Sequence, residues 1–249
     1  MIVKGALEKA KLYIESHSRD SDSFQTHTHI KQGPCVTISR ETGAGADRVC
    51  EALIEFFQIF SDENSIPWTA FDKNLIERIL EDNHLPQKLS QYFVEDKLSE
   101  LKSMVNELLG IHPHIGVFIH TTSRTILQLA QKGNVIIAGR AANIITGKLK
   151  NTFNVRLVAP FETRVQHIQV VYSLNRKDAI EYIKKEDLAR KHYVKSYFNK
   201  NIDDPLLYHM VINTGQIPYK KAARMIGLAV LEKFPEMFSL REEATYELK

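Results

Sequence analysis

The sequence predicts an α/β protein built on a doubly wound parallel sheet. Five short apolar segments alternate with helical segments along its 249 residues, which is typical of a parallel sheet with helices on both faces. The first unit, Pro34–Phe57, runs from an apolar strand through a glycine-containing turn into an amphipathic helix. A turn of this kind presents backbone N–H groups at a helix N-terminus, where anions bind.

Each predicted strand is short and apolar, and segments with helical spacing separate most of the strands. The strands are predicted at Cys35–Ser39, Ile66–Phe71, Asn134–Gly139, Phe153–Ala159 and Tyr208–Asn213. The helices are predicted at Gly45–Phe57, Asp72–Asn83, Pro86–Leu109, Val117–Lys132, Phe161–Tyr172, Asn175–Tyr197 and Pro218–Phe234. Because ligands of such sheets bind beyond the carboxyl ends of the strands, the 40–48 turn, Asp72 and Arg140 are expected on one rim.

Composition and charge indicate one large soluble domain with appendages. The net charge of +3 does not favour a general nucleic-acid binder. No run of about 18 apolar residues is present, so no membrane span is expected. The N-terminus lacks the apolar core of a signal peptide, which predicts a cytoplasmic location. Cys35 and Cys50 are expected to be buried, unreactive thiols, as suits a reducing compartment.

The chain divides into three predicted parts. Residues 1–33 are predicted to form a short helix and a polar linker, residues 34–234 the main domain, and residues 235–249 a polar tail. We expect the leader to pack on the core or on a second subunit. The second arrangement would make a homodimer through the N-terminal segment.

The glycine turn is close to the phosphate-binding motif GxxxxGK[ST]. With Gly45 on the second glycine of the motif, Arg40 replaces the first glycine, Ala46 the lysine and Asp47 the Ser/Thr. A turn between strand and helix also requires glycines for purely geometric reasons. On the functional interpretation, the residues that bind donor phosphates are Arg40, Thr42, Gly43, Ala44, Gly45, Ala46, Asp47 and Arg48.

Six ordered blocks identify a family resemblance. SRETGAGADR, FDKNLIERI, VIIAGRAANII, LVAPFETRV, KKEDLARKHY and DDPLLYHMVINT together resemble the cytidylate kinase-like family, a branch of the P-loop nucleoside monophosphate kinases. The resemblance runs from about Pro34 to Phe234. It implies a three-layer P-loop NTPase fold, with a five-stranded parallel sheet flanked by helices and a helical lid at about 174–200.

The resemblance also implies roles for individual residues. Arg164 and Arg190 match the lid-region arginines that close on the transferred group, and Arg140 and Asp72 match acceptor-binding positions. Asp47 would help to hold Mg²⁺. Each residue has a structural alternative: Asp72 as a helix cap, Arg140 as the partner of a carboxylate, Asp47 as a favourable first-turn acid. For Arg164 and Arg190 the alternative is a charge on the helix surface. Local ion pairs are a further alternative for Arg190, because Asp187, Arg190 and Lys191 are spaced i, i+3 and i+4.

Three departures from the pattern bear on activity. Arg40 and Ala46 remove the first glycine and the lysine of the loop, and Ala141 stands where classical cytidylate kinases carry an aspartate. Arg48 and Arg40 would replace the missing cation, and Arg48 is therefore counted with the catalytic residues. The divergent branch of the family itself carries a small residue for the lysine and an arginine two positions on.

Two functions are consistent with these residues. The first is a phosphotransferase that moves the γ-phosphoryl group of ATP·Mg²⁺ to a small phosphorylated acceptor, for example a nucleoside monophosphate such as CMP. The second is a non-catalytic sensor that binds a nucleotide or a phosphometabolite at a degenerate loop. Both predict nucleotide and small phosphorylated ligands as partners, without nucleic acid or membrane.

Overall fold

Five parallel strands form the centre of the molecule. The computed structural model describes Tyr13, residues 33–60, residues 67–72, Val105 and residues 117–238. The strands are β1 (Cys35–Arg40), β2 (Thr69–Phe71), β3 (Val135–Ala138), β4 (Thr152–Val158) and β5 (Met210–Asn213). They pair in parallel in the order β2-β3-β1-β4-β5. This confirms the predicted five-stranded parallel sheet of the P-loop kinase fold.

Helices cover both faces of the sheet. They are α1 (Ala46–Ile59), α2 (Val117–Lys132), α3 (Ala142–Ile145), α4 (Phe161–Tyr172), α5 (Arg176–Phe198) and α6 (Tyr219–Lys233). Short 3₁₀ turns lie at Pro205–Leu207 and Pro235–Met237. The helices predicted within residues 73–109 lie outside the described residues, apart from the buried Val105.

The central strand β3 is apolar because both of its faces are buried. Along β3, Val135 and Ile137 face the core under α2, whereas Ile136 and Ala138 face the core under α1 and α6. This alternation explains why a continuous apolar run, rather than a period-two pattern, marks a central parallel strand. Both faces of the sheet are thus occupied, and its carboxyl edge is where loops can form a site.

Helices α4 and α5 form a hairpin, and α5 lies within the segment 174–200 for which a lid was predicted. Val165 and Ile168 of α4 and Ala179 and Ile183 of α5 form a small apolar cluster of their own. The other end of α5 behaves differently, since Phe198 belongs to the main core under α2. Helix α5 therefore joins a separate cluster to the core of the domain.

The two ends of the described chain contact the core. Tyr13 is buried, its hydroxyl donates to the Gly133 carbonyl at 2.5 Å, and its ring packs edge-on against Phe71. At the other end, Phe238 stacks on Phe57 with ring centroids 5.8 Å apart. Residues 235–238, placed in the predicted polar tail, therefore pack against the domain. No helix among the described residues is long and apolar enough to cross a membrane.

Candidate functional site

The turn between β1 and α1 depends on two glycines. Gly43 and Gly45 have φ values of 85° and 73°, in the left-handed region that side chains disfavour. Gly45 is also the N-cap of α1, and a Cβ atom there would lie 2.3 Å from Cε1 of the Tyr219 ring. No side chain of the described residues caps this helix, so its first N–H groups are left for solvent or a ligand.

The carboxyl ends of the central strands bring together the residues predicted there. Arg40 ends β1, and its guanidinium passes over Gly139, where a Cβ atom would lie 2.2 Å from Nη1. Burial, and then the positive charge of Arg190, lower the pKa of Arg40 to about 10, while Asp72 acts in the opposite direction. Arg40, Asp72 and Arg190 therefore share one electrostatic environment.

Arg140 follows β3 in a strained turn. Its φ is 52° and that of Ala141 is 55°, so two non-glycine residues in succession adopt the left-handed conformation. The Arg140 guanidinium lies 5.6 Å from the centre of the Tyr193 ring on α5. Burial lowers the pKa of Arg140 and raises that of Tyr193 to about 12. The predicted acceptor-binding arginine thus contacts the lid helix.

A carboxylate of α5 lies at the centre of the candidate site. The Asp187 side chain accepts from the Thr42 N–H at 2.8 Å and from the Thr42 hydroxyl at 2.6 Å. It also accepts from Nη1 of Arg164 at 2.6 Å and from Nη1 of Arg190 at 3.2 Å. Nη1 of Arg190 donates to Thr42 Oγ1 as well. Three predicted site residues, Thr42, Arg164 and Arg190, therefore converge on a carboxylate to which the sequence assigned only local ion pairs on α5.

Arg164 connects three segments of the chain. Its side chain is 10% exposed, and Nε donates to the Ala159 carbonyl at 3.2 Å while Nη1 donates to the Thr42 carbonyl at 3.3 Å. The Glu41 carboxylate lies 3.5 Å from Nε and accepts from the Ala159 N–H at 3.0 Å. Arg164 thus connects the β1–α1 turn, the end of β4 and α5.

Two predicted residues lie apart from this cluster. Arg48 is 61% exposed and pairs with Glu51, at 3.7 Å. Asp47 is exposed in the first turn of α1. Among the described residues no three His, Cys, Asp or Glu side chains form a group that would hold a metal ion. Asp47 nevertheless suits Mg²⁺, which proteins hold through one or two carboxylates together with substrate phosphates.

Sequence reasoning missed several polar residues near the turn. His167 Nδ1 lies 2.8 Å from the Gly43 carbonyl oxygen, and its ring lies 5.8 Å from the Tyr219 ring. Arg156 in β4 is 5% exposed and donates to Ser39 Oγ and to Asp203. A charged residue inside a predicted apolar strand was the available signal for Arg156. No local pattern marks His167.

The local ion pairs predicted on α5 form only in part. Asp187 pairs with Arg190, as the i, i+3 spacing indicated. Lys191 instead pairs with Asp203, with Nζ 2.8 Å from Oδ2. Arg190 also pairs with Glu186, at 3.3 Å. The acids of this helix thus contact both arginines of the site, and the lysine turns toward the loop that precedes β5.

Comparisons with known proteins agree with this architecture. The sequence profile of the cytidylate kinase-like family matches residues 35–216. A cytidylate kinase from Methanocaldococcus jannaschii is 23% identical over 109 residues, which are 43% of this chain and 61% of that enzyme. A uronate isomerase from Corynebacterium glutamicum is 26% identical over 113 residues, which are 45% of this chain and 22% of that protein. The chain thus matches under two thirds of either relative's length.

A solved structure shares the fold. An uncharacterized protein from Eubacterium ventriosum aligns with 81% of this chain and 99% of its own, with a TM-score of 0.63 and 19% identity. At that identity the likeness concerns the arrangement of strands and helices and not the chemistry of the site.

Proposed function

This chain belongs to the cytidylate kinase-like family, and on that premise we propose that it is a phosphotransferase. The reaction would move the γ-phosphoryl group of ATP to a small phosphorylated acceptor, a nucleoside monophosphate such as CMP. The observation that carries the proposal is the convergence of Arg164 and Arg190 on one anion position beside Thr42. Two arginines directed at one oxyanion, next to a glycine turn, are what phosphoryl transfer requires for charge stabilisation.

The proposed roles follow from the positions of the residues. The 40–48 turn would bind the donor phosphates through backbone N–H groups at the uncapped start of α1. Arg140 and Asp72, at the ends of neighbouring strands, would bind the acceptor. Arg164 and Arg190 would stabilise the charge that develops on the transferred group. An ionised acceptor phosphate needs no general base, so the site has to orient and neutralise its substrates rather than remove a proton.

Mg²⁺ would supply further neutralisation of the donor phosphates when bound, and Asp47 is the residue that would hold it. Its carboxylate is exposed in the first turn of α1, beside the N–H groups assigned to the donor. The same position suits a first-turn acid that stabilises the helix. A higher Mg²⁺ concentration for half-maximal activity in Asp47→Ala would support the first role, and an unchanged concentration would support the second.

We propose that Arg40 is the main replacement for the missing loop lysine. Arg40 is half-buried at the rim, where its guanidinium feels the charge of Arg190, whereas Arg48 is largely exposed and lies near Glu51. Arg40→Met should therefore weaken ATP binding or turnover at least tenfold, the loss expected when one positive charge is removed from a desolvated phosphate site. Arg48→Ala tests the competing assignment, and Lys177→Ala on the exposed side of α5 is the control. Comparable losses in Arg48→Ala and none in Arg40→Met would reverse the assignment.

A coupled assay of ADP release tests the reaction itself. The full chain is assayed with ATP and Mg²⁺ against each nucleoside monophosphate, and Arg190→Gln is compared with Arg176→Gln. Arg190 lies in the anion cluster, whereas Arg176 pairs with Glu162 at the surface, 56% exposed. Turnover that falls at least a hundredfold in Arg190→Gln alone would support the proposal. No turnover with any acceptor would contradict it.

One observation favours the sensor as a second candidate. Nε and Nη1 of Arg164 already donate to acceptors of the protein. This is expected of a binding module that no longer turns over. Measurable affinity for ATP·Mg²⁺ together with no ADP release for any acceptor would establish this function. ADP release with any one acceptor would exclude it.

A further inference from the structure

We infer that Asp187 is a positioning residue that occupies the place of a substrate phosphoryl group and leaves it when that group binds. The inference rests on the proposed function, because it concerns the same arginines. It adds a residue of the lid helix to the machinery, and it names the class of ligand that the site accepts: a phosphate chain with enough charge to displace a tethered carboxylate.

The donors around Asp187 form a preassembled oxyanion site. Oδ1 accepts from the Thr42 N–H, the Thr42 hydroxyl and Arg190, and Oδ2 accepts from Arg164. These donors come from three different elements: the β1–α1 turn, α4 and α5 itself. A phosphoryl group offers oxygens to the same donors with greater charge, and charge-assisted hydrogen bonds strengthen with that charge.

The charge balance of the cluster favours replacement by a phosphate. Glu186 contacts Arg190 at 3.3 Å and Glu41 contacts Arg164 at 3.5 Å, so each arginine keeps one carboxylate partner when Asp187 leaves. Neither arginine is then left without a counter-charge. The central position alone becomes free, and an anion entering it restores the hydrogen bonds that Asp187 gave up.

The position of Asp187 links binding to the lid. Asp187 and Arg190 lie three residues apart on one face of α5, so both side chains reach Thr42 from the same helix. A phosphate that displaces the carboxylate still attracts Arg190. The helix therefore has to shift enough to withdraw one side chain while it keeps the other in contact, and the carboxylate holds both arginines in place until then.

A tethered carboxylate competes at an effective concentration in the millimolar range or above, which sets a threshold for ligands. A singly charged anion would not displace it, whereas a polyphosphate would. In the native chain a polyphosphate binds only those molecules in which Asp187 has left the position, so its affinity is reduced by that fraction. Removal of the carboxylate charge should raise the affinity by the reciprocal of the same fraction. If that fraction is about one in ten, the gain is about tenfold.

Binding of inorganic tripolyphosphate alone, measured by calorimetry on the full chain, tests the inference without any turnover. Asp187→Asn keeps the size of the side chain and removes its charge. It should bind tripolyphosphate about tenfold more tightly than the native chain. The control is Glu181→Gln, which removes the same charge from an exposed position on the same helix and should change the affinity less than twofold. Equal or weaker binding by a folded Asp187→Asn protein would overturn the inference.

A second variant and a kinetic readout keep the test decisive. If Asp187→Asn does not fold, Asp187→Ser removes the carboxylate with less polar volume and is measured in the same way. In the ADP-release assay, loss of the residue that holds Arg164 and Arg190 should lower both kcat and the KM for ATP, whereas a purely structural residue would raise KM. A native chain without turnover, with tighter tripolyphosphate binding by Asp187→Asn, would refute the proposed reaction and leave this inference standing. Turnover in the native chain, without tighter tripolyphosphate binding by Asp187→Asn, would support the proposed reaction and refute this inference.

Discussion

Replacement of Arg164 by methionine should destabilise the protein strongly, whatever the protein catalyses. The side chain is 10% exposed, and methionine fills most of its apolar volume against Phe161 while removing every donor. Three acceptors lose their partner: the Asp187 carboxylate at 2.6 Å and the carbonyl oxygens of Ala159 and Thr42 at 3.2 and 3.3 Å.

The magnitude follows from what those acceptors lose. A hydrogen bond to a charged group contributes about 1.5–3 kcal/mol, and each neutral one about 1 kcal/mol. Because Asp187 retains its bonds to Thr42 and lies partly in solvent, we take the lower part of that range and expect a loss of about 3–4 kcal/mol. For a domain of this size the midpoint of thermal unfolding should fall by about 10 °C.

Urea denaturation and calorimetry would measure the loss, with Arg176→Met as the matched control. Arg176 makes a bidentate ion pair with Glu162, at 2.8 and 2.9 Å, but its side chain is 56% exposed. A pair this exposed should contribute little, so the control should unfold close to the native temperature. If Arg164→Met costs under about 1 kcal/mol, or no more than the control, the reasoning from buried, shared acceptors is refuted.

Three further predictions concern other positions. Gly45→Ala should lower the free energy of unfolding by about 2 kcal/mol, because a φ of 73° disfavours a side chain and the new Cβ would clash with Tyr219. Urea denaturation measures the loss, and Tyr219→Ala in the same chain should recover part of it. Ala141→Gly should stabilise by up to about 1 kcal/mol, since φ is 55° there, and a lower unfolding midpoint would contradict this. Burial raises the pKa of Cys50 to about 12 from its ordinary value of 9, so the thiol of the unfolded chain ionises at a lower pH than that of the folded chain. The free energy of unfolding should therefore fall as pH rises from 9 to 12, and it should fall less steeply in Cys50→Ala. A thiol reagent at neutral pH should modify Cys50 only after denaturation.

The sheet was predictable from the sequence because short, largely apolar runs mark its strands, most completely in β3, where all four residues are apolar and buried. Helical periodicity predicted the first and last residues of α2 and α4. The rule that ligands bind beyond the carboxyl ends of the strands predicted that Arg40 and Asp72 lie at the same edge of the sheet. These are consequences of local pattern and of one topological rule, and both can be read without distances.

The central contact of the site could not be derived in this way. Thr42 and Asp187 are 145 residues apart, and their hydrogen bond depends on how the lid hairpin rests on the sheet. Spacing along α5 suggested only a local role for Asp187, since an acid three residues before an arginine is ordinary on a helix surface. Arg48 shows the opposite difficulty. Its position in the motif suggested a replacement for the loop lysine, and its side chain lies at the solvent face of the first turn of α1.

The helix that carries Asp187 is long enough to act as a lever. Its 23 residues span about 35 Å, with Phe198 fixed in the main core at one end and Ile183 in the separate hairpin cluster toward the other. The side chains that meet Thr42 lie near the middle, so a tilt about the fixed end moves the far tip roughly twice as far as it moves the site. A rotation of about 10° would carry Arg176 about 6 Å. A fluorophore at the exposed tip would therefore move about twice as far as the side chains at the phosphate-binding turn and would report on their displacement.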